Sequence, residues 1–439
     1  MILQNLGDGL VIRRATAADT DALVAFNGEA HADPGAEPDI GIAAWTRDLM
    51  EGRHPLAGPD DFTIVEHART GAIVSSLCLI SQTWSYDGIE LPVGQIEAVA
   101  TDPAYRRRGL VRSQFEIVHA WSRDRGEPVQ AISGIPWYYR QFGYELALEL
   151  GGGRAGYPQD FPASDEDEGD AIGLRPVTAK DLPAVQELDA LGRRRSLVTC
   201  VRDARLWRFE LEGCSERNFH RRELMMIETP AGEPLGFLAC APRAGGTTLA
   251  INCFELGPGL PWVSLGAGVI RSLLSLANHD VAGRSPPIER IILRLGSDHP
   301  AYHALASRLT QALRPNAWFI RVSDLAAFVR RVAAALEARL AASIASGFTG
   351  ELILNFYRDG LRFVFEGGRL AGVEACPATD SRQASASFPD LTFLQILFGY
   401  RSLADLEYAF ADCRVNGDAN HLLLDTLFPR RPSFVWQAT

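Results

Sequence analysis

The sequence predicts an α+β protein made of two related domains in tandem and a third, different domain behind them. Three observations predict this. The opening of the chain is repeated: IRRATAADTDAL from Ile12 returns as LRPVTAKDLPAV from Leu174, with Arg13 matching Arg175, Thr16 matching Thr178, Ala17 matching Ala179, Asp19 matching Asp181 and Ala22 matching Ala184. At nearly the same offset, GLVRSQF from Gly109 returns as GVIRSLL from Gly268. After WFIRVSDLAAF the pattern changes to one that neither copy contains. A repeat far longer than the ~20–50 residues of a solenoid unit means two similar domains.

Size and charge agree. At ~100–200 residues per domain, 439 residues allow two to four domains. The net charge of −11 argues against a nucleic-acid partner, because phosphate attraction dominates such binding. It suits an enzyme with a cationic substrate. The seven cysteines, Cys78, Cys200, Cys214, Cys240, Cys253, Cys376 and Cys413, include no CxxC pair, so reduced thiols and a cytoplasmic location are expected. The opening MILQNLGDGL lacks the regions of a signal peptide, and no run of about 18 apolar residues predicts a membrane span.

The elements follow in order. Each copy opens with a short apolar strand ending in Thr, which caps a helix whose first turn carries an Asp near the positive dipole end. GQIEAVATDP reads as a strand that leaves its sheet at Asp102–Pro103, and SQFEIVHAWSRDRG from Ser113 as an amphipathic helix ending at Gly126. VQAIS reads as a short buried strand. The boundaries are a first domain over 1–158, an acidic linker over 159–171 (QDFPASDEDEGDA), a second domain over 172–322 and a third over 323–439. The third has a Ser–Asp helix start at Ser323, alternating strands with turns at Asp359–Gly360 and Gly367–Gly368, and helical stretches in LTFLQILFGYRSLADLEYAF and HLLLDTLFP.

Between strand and helix of the first copy lies YRRRGLVR. Free N–H groups and positive potential collect at a helix start, which binds phosphate. Arg106, Arg107 and Arg108 add charge-assisted bonds, and Gly109 permits close backbone approach. The YRRRGLVR segment matches neither GxxxxGK[ST] nor GxGxxG. In the second copy Leu265, Gly266 and Ala267 stand before Gly268, so its attraction for a diphosphate should be much weaker.

TDPAYRRRGLV resembles the R/Q-x-x-G-x-G/A pyrophosphate loop of the Gcn5-related N-acetyltransferases, with Val111 where many relatives carry Gly or Ala. Larger aliphatic residues there, and the threefold plan of the chain, resemble the enhanced-intracellular-survival kind: two tandem acetyltransferase-fold domains, the second degenerate, then a sterol-carrier-like α+β domain. The resemblance implies that Val99, Ala100 and Thr101 hold the pantetheine arm of acetyl-coenzyme A (acetyl-CoA). It implies that Arg107, Arg108, Gly109, Leu110, Val111 and Arg112 hold its pyrophosphate, and that Gly134 and Ile135 line the acyl end. It implies a homo-oligomer, a trimer or a hexamer. The family motif Y-x-x-F-G-Y falls on Tyr139 to Tyr144, making Tyr139 the proton donor, with Tyr138 its rival. LFP-x-R-P near the end also matches, and implies that the carboxylate of Thr439 serves as base, although the usual terminal aromatic is replaced.

Acetyl transfer by direct attack needs an amine relieved of its proton (a lysine-like pKa is ~10.4), N–H donors for the oxyanion and a donor such as a phenol of pKa ~10 for the leaving thiolate. The expected reaction is acetylation of a primary amine, on a small molecule or a lysine, with no metal. His299 and His303 lie at i, i+4 without a third ligand. Glu29, His31, Asp33, Glu37 and Asp39 crowd the segment after the first helix and offer a cation-binding wall or a solvated loop; Trp45 lines the same pocket or packs. Two alternatives stay open: a non-catalytic coenzyme-A-binding sensor or scaffold, and a lipid carrier acting through the third domain.

Overall fold

A computed structural model describes residues 2–162, 172–244, 246–279 and 286–438. The leading third runs β1 (Ile2–Gly7), β2 (Leu10–Arg14), α1 (Thr20–Ala30), α2 (Ile40–Met50), β3 (Phe62–His67), β4 (Ala72–Tyr86), β5 (Ile89–Thr101), α3 (Leu110–Asp124), β6 (Val129–Ile132), β7 (Glu145–Leu150) and β8 (Gly153–Gly156). The middle runs β9 (Gly173–Pro176), α4 (Leu182–Arg193), β10 (Val198–Cys200), α5 (Ala204–Arg208), β11 (Glu223–Glu228), β12 (Pro234–Ala244), β13 (Thr248–Leu256), α6 (Trp262–His279), β14 (Arg290–Leu293), α7 (Pro300–Ala304), β15 (Gln311–Leu313) and β16 (Asn316–Val322). The last part runs α8 (Leu325–Arg331), α9 (Ala333–Ala341), β17 (Gly350–Asn355), β18 (Asp359–Glu366), β19 (Arg369–Pro377), β20 (Ala386–Ser387), α10 (Phe393–Leu397), α11 (Leu403–Ala409), β21 (Arg414–Val415) and α12 (Asp418–Leu427).

Period-2 alternation builds the first sheet. On β4, Leu77 and Leu79 face α3 and meet Phe115 and Val118, while Cys78 and Ile80 face the other way and meet Leu23, Trp45 and Leu49 of α1 and α2. Its strand order is β1-β2-β3-β4-β5-β6-β16-β7, with β10 added beside β4. The second sheet runs β15-β8-β14-β13-β12-β11-β9, and the third β19-β18-β17-β20-β21. The third sheet packs Leu352, Leu354, Phe363 and Phe365 against its helices, and its core is continuous with Trp84, Tyr86 and Trp318 of the first sheet. No helix of the described residues is long and apolar enough to cross a membrane.

The repeat read from sequence is a repeat in atoms. Arg13 donates two hydrogen bonds to Asp19 (2.8 and 2.6 Å) and one to Glu66 (2.7 Å). Arg175 donates to Asp181 (2.7 and 2.8 Å) and to Glu228 (2.6 Å). Both Asp carboxylates also accept from the Thr three residues earlier, at Thr16 and at Thr178.

The sheets do not divide where the sequence divides. β8, before position 158, lies in the second sheet between β14 and β15; β16, before position 322, lies in the first sheet between β6 and β7. Each copy thus lends the other a strand. The GGGRAG segment is glycine-rich for that reason: a Cβ on Gly153 or Gly156 would stand 2.0 or 2.3 Å from the carbonyl oxygens of Leu293 and Arg308. At the start of the expected linker Gln159 and Pro162 are exposed, while Phe161 is buried in the second core beneath the Arg308 guanidinium. The acidic run over 163–171 lies outside the described residues, as does Thr439.

The second-copy glycine is a further correction. α6 begins at Trp262, so Leu265, Gly266, Ala267 and Gly268 all lie inside a helix and form no strand-to-helix turn. A Cβ on Gly268 would stand 2.7 Å from Ile172, so close packing accounts for that glycine.

Candidate functional site

The first sheet opens where it meets the arginine turn. β5 pairs in parallel with β6 only over Val93–Gln95 and Val129–Ala131, yet β5 continues to Thr101. Its edge from Ile96 onward is therefore free of β6, with backbone donors and acceptors available. β5 ends at Thr101, and the carboxylate of Asp102 accepts from the Ala104 N–H (2.8 Å) and turns the chain. Arg107 takes φ +63° and Gly109 φ +77°, and α3 starts at Leu110. The helix thus begins three residues before the Ser113 read from sequence, so that its unpaired N–H groups lie within the RRRGLVR run. Arg106, Arg107 and Arg108 are exposed, and none forms a salt bridge among the described residues; Arg106 reaches the Thr101 carbonyl (3.4 Å) and Arg108 lies over the Tyr105 ring. Buried Gln114 sets the angle of α3, bonding Ser75 on β4 and Thr63 on β3.

A cavity of about 700 Å³ joins these parts. Val99, Ala100, Thr101, Arg107, Arg108, Gly109, Leu110, Val111, Arg112 and Ile135 all line it. The structure adds His31, Tyr105, Tyr138, Gln141 and Phe142. His31 closes α1, its Nδ1 held to the Asn27 carbonyl (3.0 Å). Arg112 ties α3 to the opposite wall, donating to Gln141 (2.6 Å).

Tyr139 is buried beneath this wall rather than on it, and of the two adjacent tyrosines Tyr138 faces the cavity. A Cβ on Gly134 would stand 3.8 Å from the Tyr139 hydroxyl, so Gly134 and Tyr139 do meet. Burial first, then the Glu97 and Tyr138 charges, push the Tyr139 phenol well above its ordinary value, which keeps it protonated. Tyr144 is fully buried, shares a 2.8 Å hydrogen bond with His119 and packs on Phe115.

Two residues beyond the last β5–β6 pair stands Glu97, which sequence reasoning passed over. Burial pushes its carboxyl up to about 7, against the opposing pull of a hydrogen bond from the Gln95 amide. Gln95 also donates to Gln437 (3.3 Å) and accepts from Gln82 (2.7 Å), and Gln82 donates to the Ala438 carbonyl (3.1 Å). The signal was present in the strand: Gln95 and Glu97 in GQIEAVA are polar residues two apart, hence on one face.

The corresponding opening of the other copy is nearly filled. β13 pairs with β14 only over Thr248–Ile251 and runs on to Leu256, so its sheet opens as well. Phe434 and Trp436 of the C-terminal tail fill that opening, leaving about 30 Å³ among Glu255, Arg195, His299 and their neighbours. Burial lowers the His299 pKa, and the ring lies against Arg195; His303 is exposed beside Asp298. The two histidines do not share a site. Trp45 is core, edge-on to Phe219 and His220. Of the acidic group after the first helix, Asp39 caps α2.

Residues 11–147 match the family model described as an acetyltransferase (GNAT) domain. Solved structures share the fold across almost the whole chain. A GCN5-related N-acetyltransferase from Kribbella flavida is 18% identical with TM-score 0.64, covering 98% of each chain. One from Anabaena variabilis is 16% identical with TM-score 0.64, covering 97% of this chain and 99% of that one. Eis1 from Mycobacterium abscessus is 15% identical with TM-score 0.58, covering 98% and 99%. No curated protein matches by sequence.

Proposed function

We propose that the chain is an acetyl-CoA-dependent N-acetyltransferase of the enhanced-intracellular-survival kind, which acetylates a primary amine on a small molecule or a lysine by direct attack. The observation that carries this reading is the single cavity joining a free strand edge to a cationic helix start. A pantetheine arm is an extended chain with amides, and the Val99–Thr101 edge offers it strand-like partners. A diphosphate is an anion that the exposed arginines and the first N–H groups of α3 fit. These residues hold the donor with its thioester toward the apex of the opening, near Gly134, Ile135 and Tyr139.

There the amine nitrogen attacks the carbonyl carbon, the C–S bond breaks, and Tyr139 passes its proton to the departing sulfur. Burial holds the phenol protonated, so the proton is present when the sulfur departs. The carboxylate of Thr439, which the family resemblance implies as base, relieves the amine of its proton. Titration with acetyl-CoA, followed by free-thiol release across aminoglycosides, polyamines and lysine peptides, tests the reading. Saturable binding with thiol release on at least one amine is expected; absence of binding overturns it. A sensor is the second reading, favoured by the exclusion of Tyr139 from the cavity wall. Binding without turnover on any amine would select it.

A further inference from the structure

We propose that the second copy carries a binding site for a small phosphate monoester with a hydroxyl-bearing body, formed by Arg221, Arg222 and Arg294 around a cavity of its own. The site does not depend on the acetyltransferase reading above.

Register brings the three arginines together. One row crosses the second sheet: Glu223 lies opposite Cys240, Cys240 opposite Ile251, and Ile251 opposite Leu293. Arg221 and Arg222 lead into β11 just before that row, and Arg294 follows β14 just after it. On β13 the pairing skips Asn252, since Ala239 lies opposite Cys253 while Cys240 lies opposite Ile251. Such a bulge re-aims a side chain, and the Asn252 Oδ1 accepts from Nε of Arg222 (3.0 Å). The Arg294 N–H donates to the Ile251 carbonyl (2.7 Å), which anchors that residue beside the bulge. In the next row Ala241 and Ala250 lie opposite each other, and their small side chains leave space. The result is a cavity of about 480 Å³ that shares no lining residue with the coenzyme opening.

The positive charge around it is not neutralised. Among the described residues none of the three arginines forms a salt bridge, and their hydrogen bonds go to neutral acceptors. Arg221 donates to the Cys214 carbonyl (2.5 Å), and Arg222 to Asn252 and to the carbonyls of Phe219 (3.0 Å) and Arg221 (2.7 Å). Burial, and after it the Arg294 charge, lowers the Arg222 pKa against the pull of Glu210. Like charges held together in a partly buried place are unfavourable until an anion joins them. Guanidinium forks match the oxygens of a phosphate, and a phosphate monoester brings three of them with a charge near −2. A space of this size takes a whole small molecule rather than a bare ion. Glu216 and Glu223 also line it, where carboxylates accept from hydroxyl groups and repel a longer polyanion. Phe219 adds apolar surface for the body of the ligand.

Calorimetry on the full chain at low salt, with inorganic phosphate, ribose 5-phosphate and adenosine monophosphate, tests the site. At least one ester should saturate with a dissociation constant below about 1 mM, and bind more tightly than inorganic phosphate. Arg294 is exposed and its side chain makes no hydrogen bond among the described residues. Arg294→Ala should therefore leave the thermal midpoint unchanged while weakening the ester about 10–100-fold. Arg294→Lys should recover part of the affinity. Arg107→Ala with Arg108→Ala should leave the ester affinity within twofold, which separates this site from the cationic turn. Tighter binding of adenosine monophosphate identifies the ligand as a nucleotide, and tighter binding of ribose 5-phosphate as a sugar phosphate; either result supports the site. Three results would overturn it: no saturation with either ester, an affinity unchanged by Arg294→Ala, or inorganic phosphate binding as tightly as both esters. Failure of acetyl-CoA to bind or turn over strikes the function above and leaves this site standing.

Discussion

The two copies share a start and differ in their openings. Arg13, Thr16 and Asp19 in the first make the same bonds as Arg175, Thr178 and Asp181 in the second. Both central sheets part after a short parallel pairing. One opening is a cavity of about 700 Å³ beside three exposed arginines. The other keeps about 30 Å³, room for about one water by volume. The difference is made by the tail. Leu197 donates to the Pro432 carbonyl and Phe434 to that of Val198, laying the tail along β10. Phe434 and Trp436 enter the second opening, Arg202 stacks 3.9 Å over Trp436, and Ala438 arrives at Gln82 beside the first. The same splayed sheet can be a ligand site or a docking slot, and aromatic filling decides which. The second copy thereby positions the tail against the first.

The comparison can be pressed hardest through Tyr139. Tyr139→Phe should lower kcat by about 10²–10⁴-fold while acetyl-CoA affinity, read by calorimetry, stays within twofold; equal loss of both would place the tyrosine in binding. Next comes the turn. Arg107→Ala with Arg108→Ala should weaken acetyl-CoA binding about 100-fold at low salt, from charge-assisted bonds of about 1.5 kcal/mol each. Stoichiometry should be one coenzyme per chain throughout.

Emptying the second opening sharpens the contrast. Phe434→Ala with Trp436→Ala should cost about 2–5 kcal/mol in thermal or denaturant unfolding, and calorimetry should still find one coenzyme per chain, because no cationic turn adjoins that opening. A second equivalent would break the account. The smallest effect tests the likeness itself: Asp19→Ala and Asp181→Ala should each cost about 1–2 kcal/mol, and should add. Arg13 holds the Asp19 carboxyl down to about 2, and Arg175 depresses Asp181 likewise. A depressed carboxyl stabilises fully above its unfolded value of ~3.9 and loses that contribution as pH falls through its folded value. The difference between each variant and the parent should therefore shrink from about pH 4 down toward 2.

Much of the site was legible in the sequence because it is local. The arginine turn, its glycine and the helix behind it occupy adjacent positions, and all the residues expected along β5 and the turn reach one cavity. Gly268 misled because sequence likeness carries no phase: GVIRSLL sits well inside α6, where its glycine answers to Ile172. Glu97 was overlooked because a lone acidic residue in an apolar strand gains meaning only when the tail's Gln437 and Ala438 and the buried Tyr139 are brought to it.

Taken alone, the sequence determined the repeat, the cationic turn and the three-part plan, since these show in residue patterns along the chain; the expected Thr caps did not form, because Thr16 and Thr178 donate to Asp19 and Asp181 instead of accepting a helix N–H. Tertiary structure alone decided that β8 and β16 change places, that the tail closes one opening, and that Gln437 and Ala438 reach Gln95 and Gln82. Those outcomes come from pairing and packing between segments far apart in the chain, where shape and burial, rather than local pattern, select the partner.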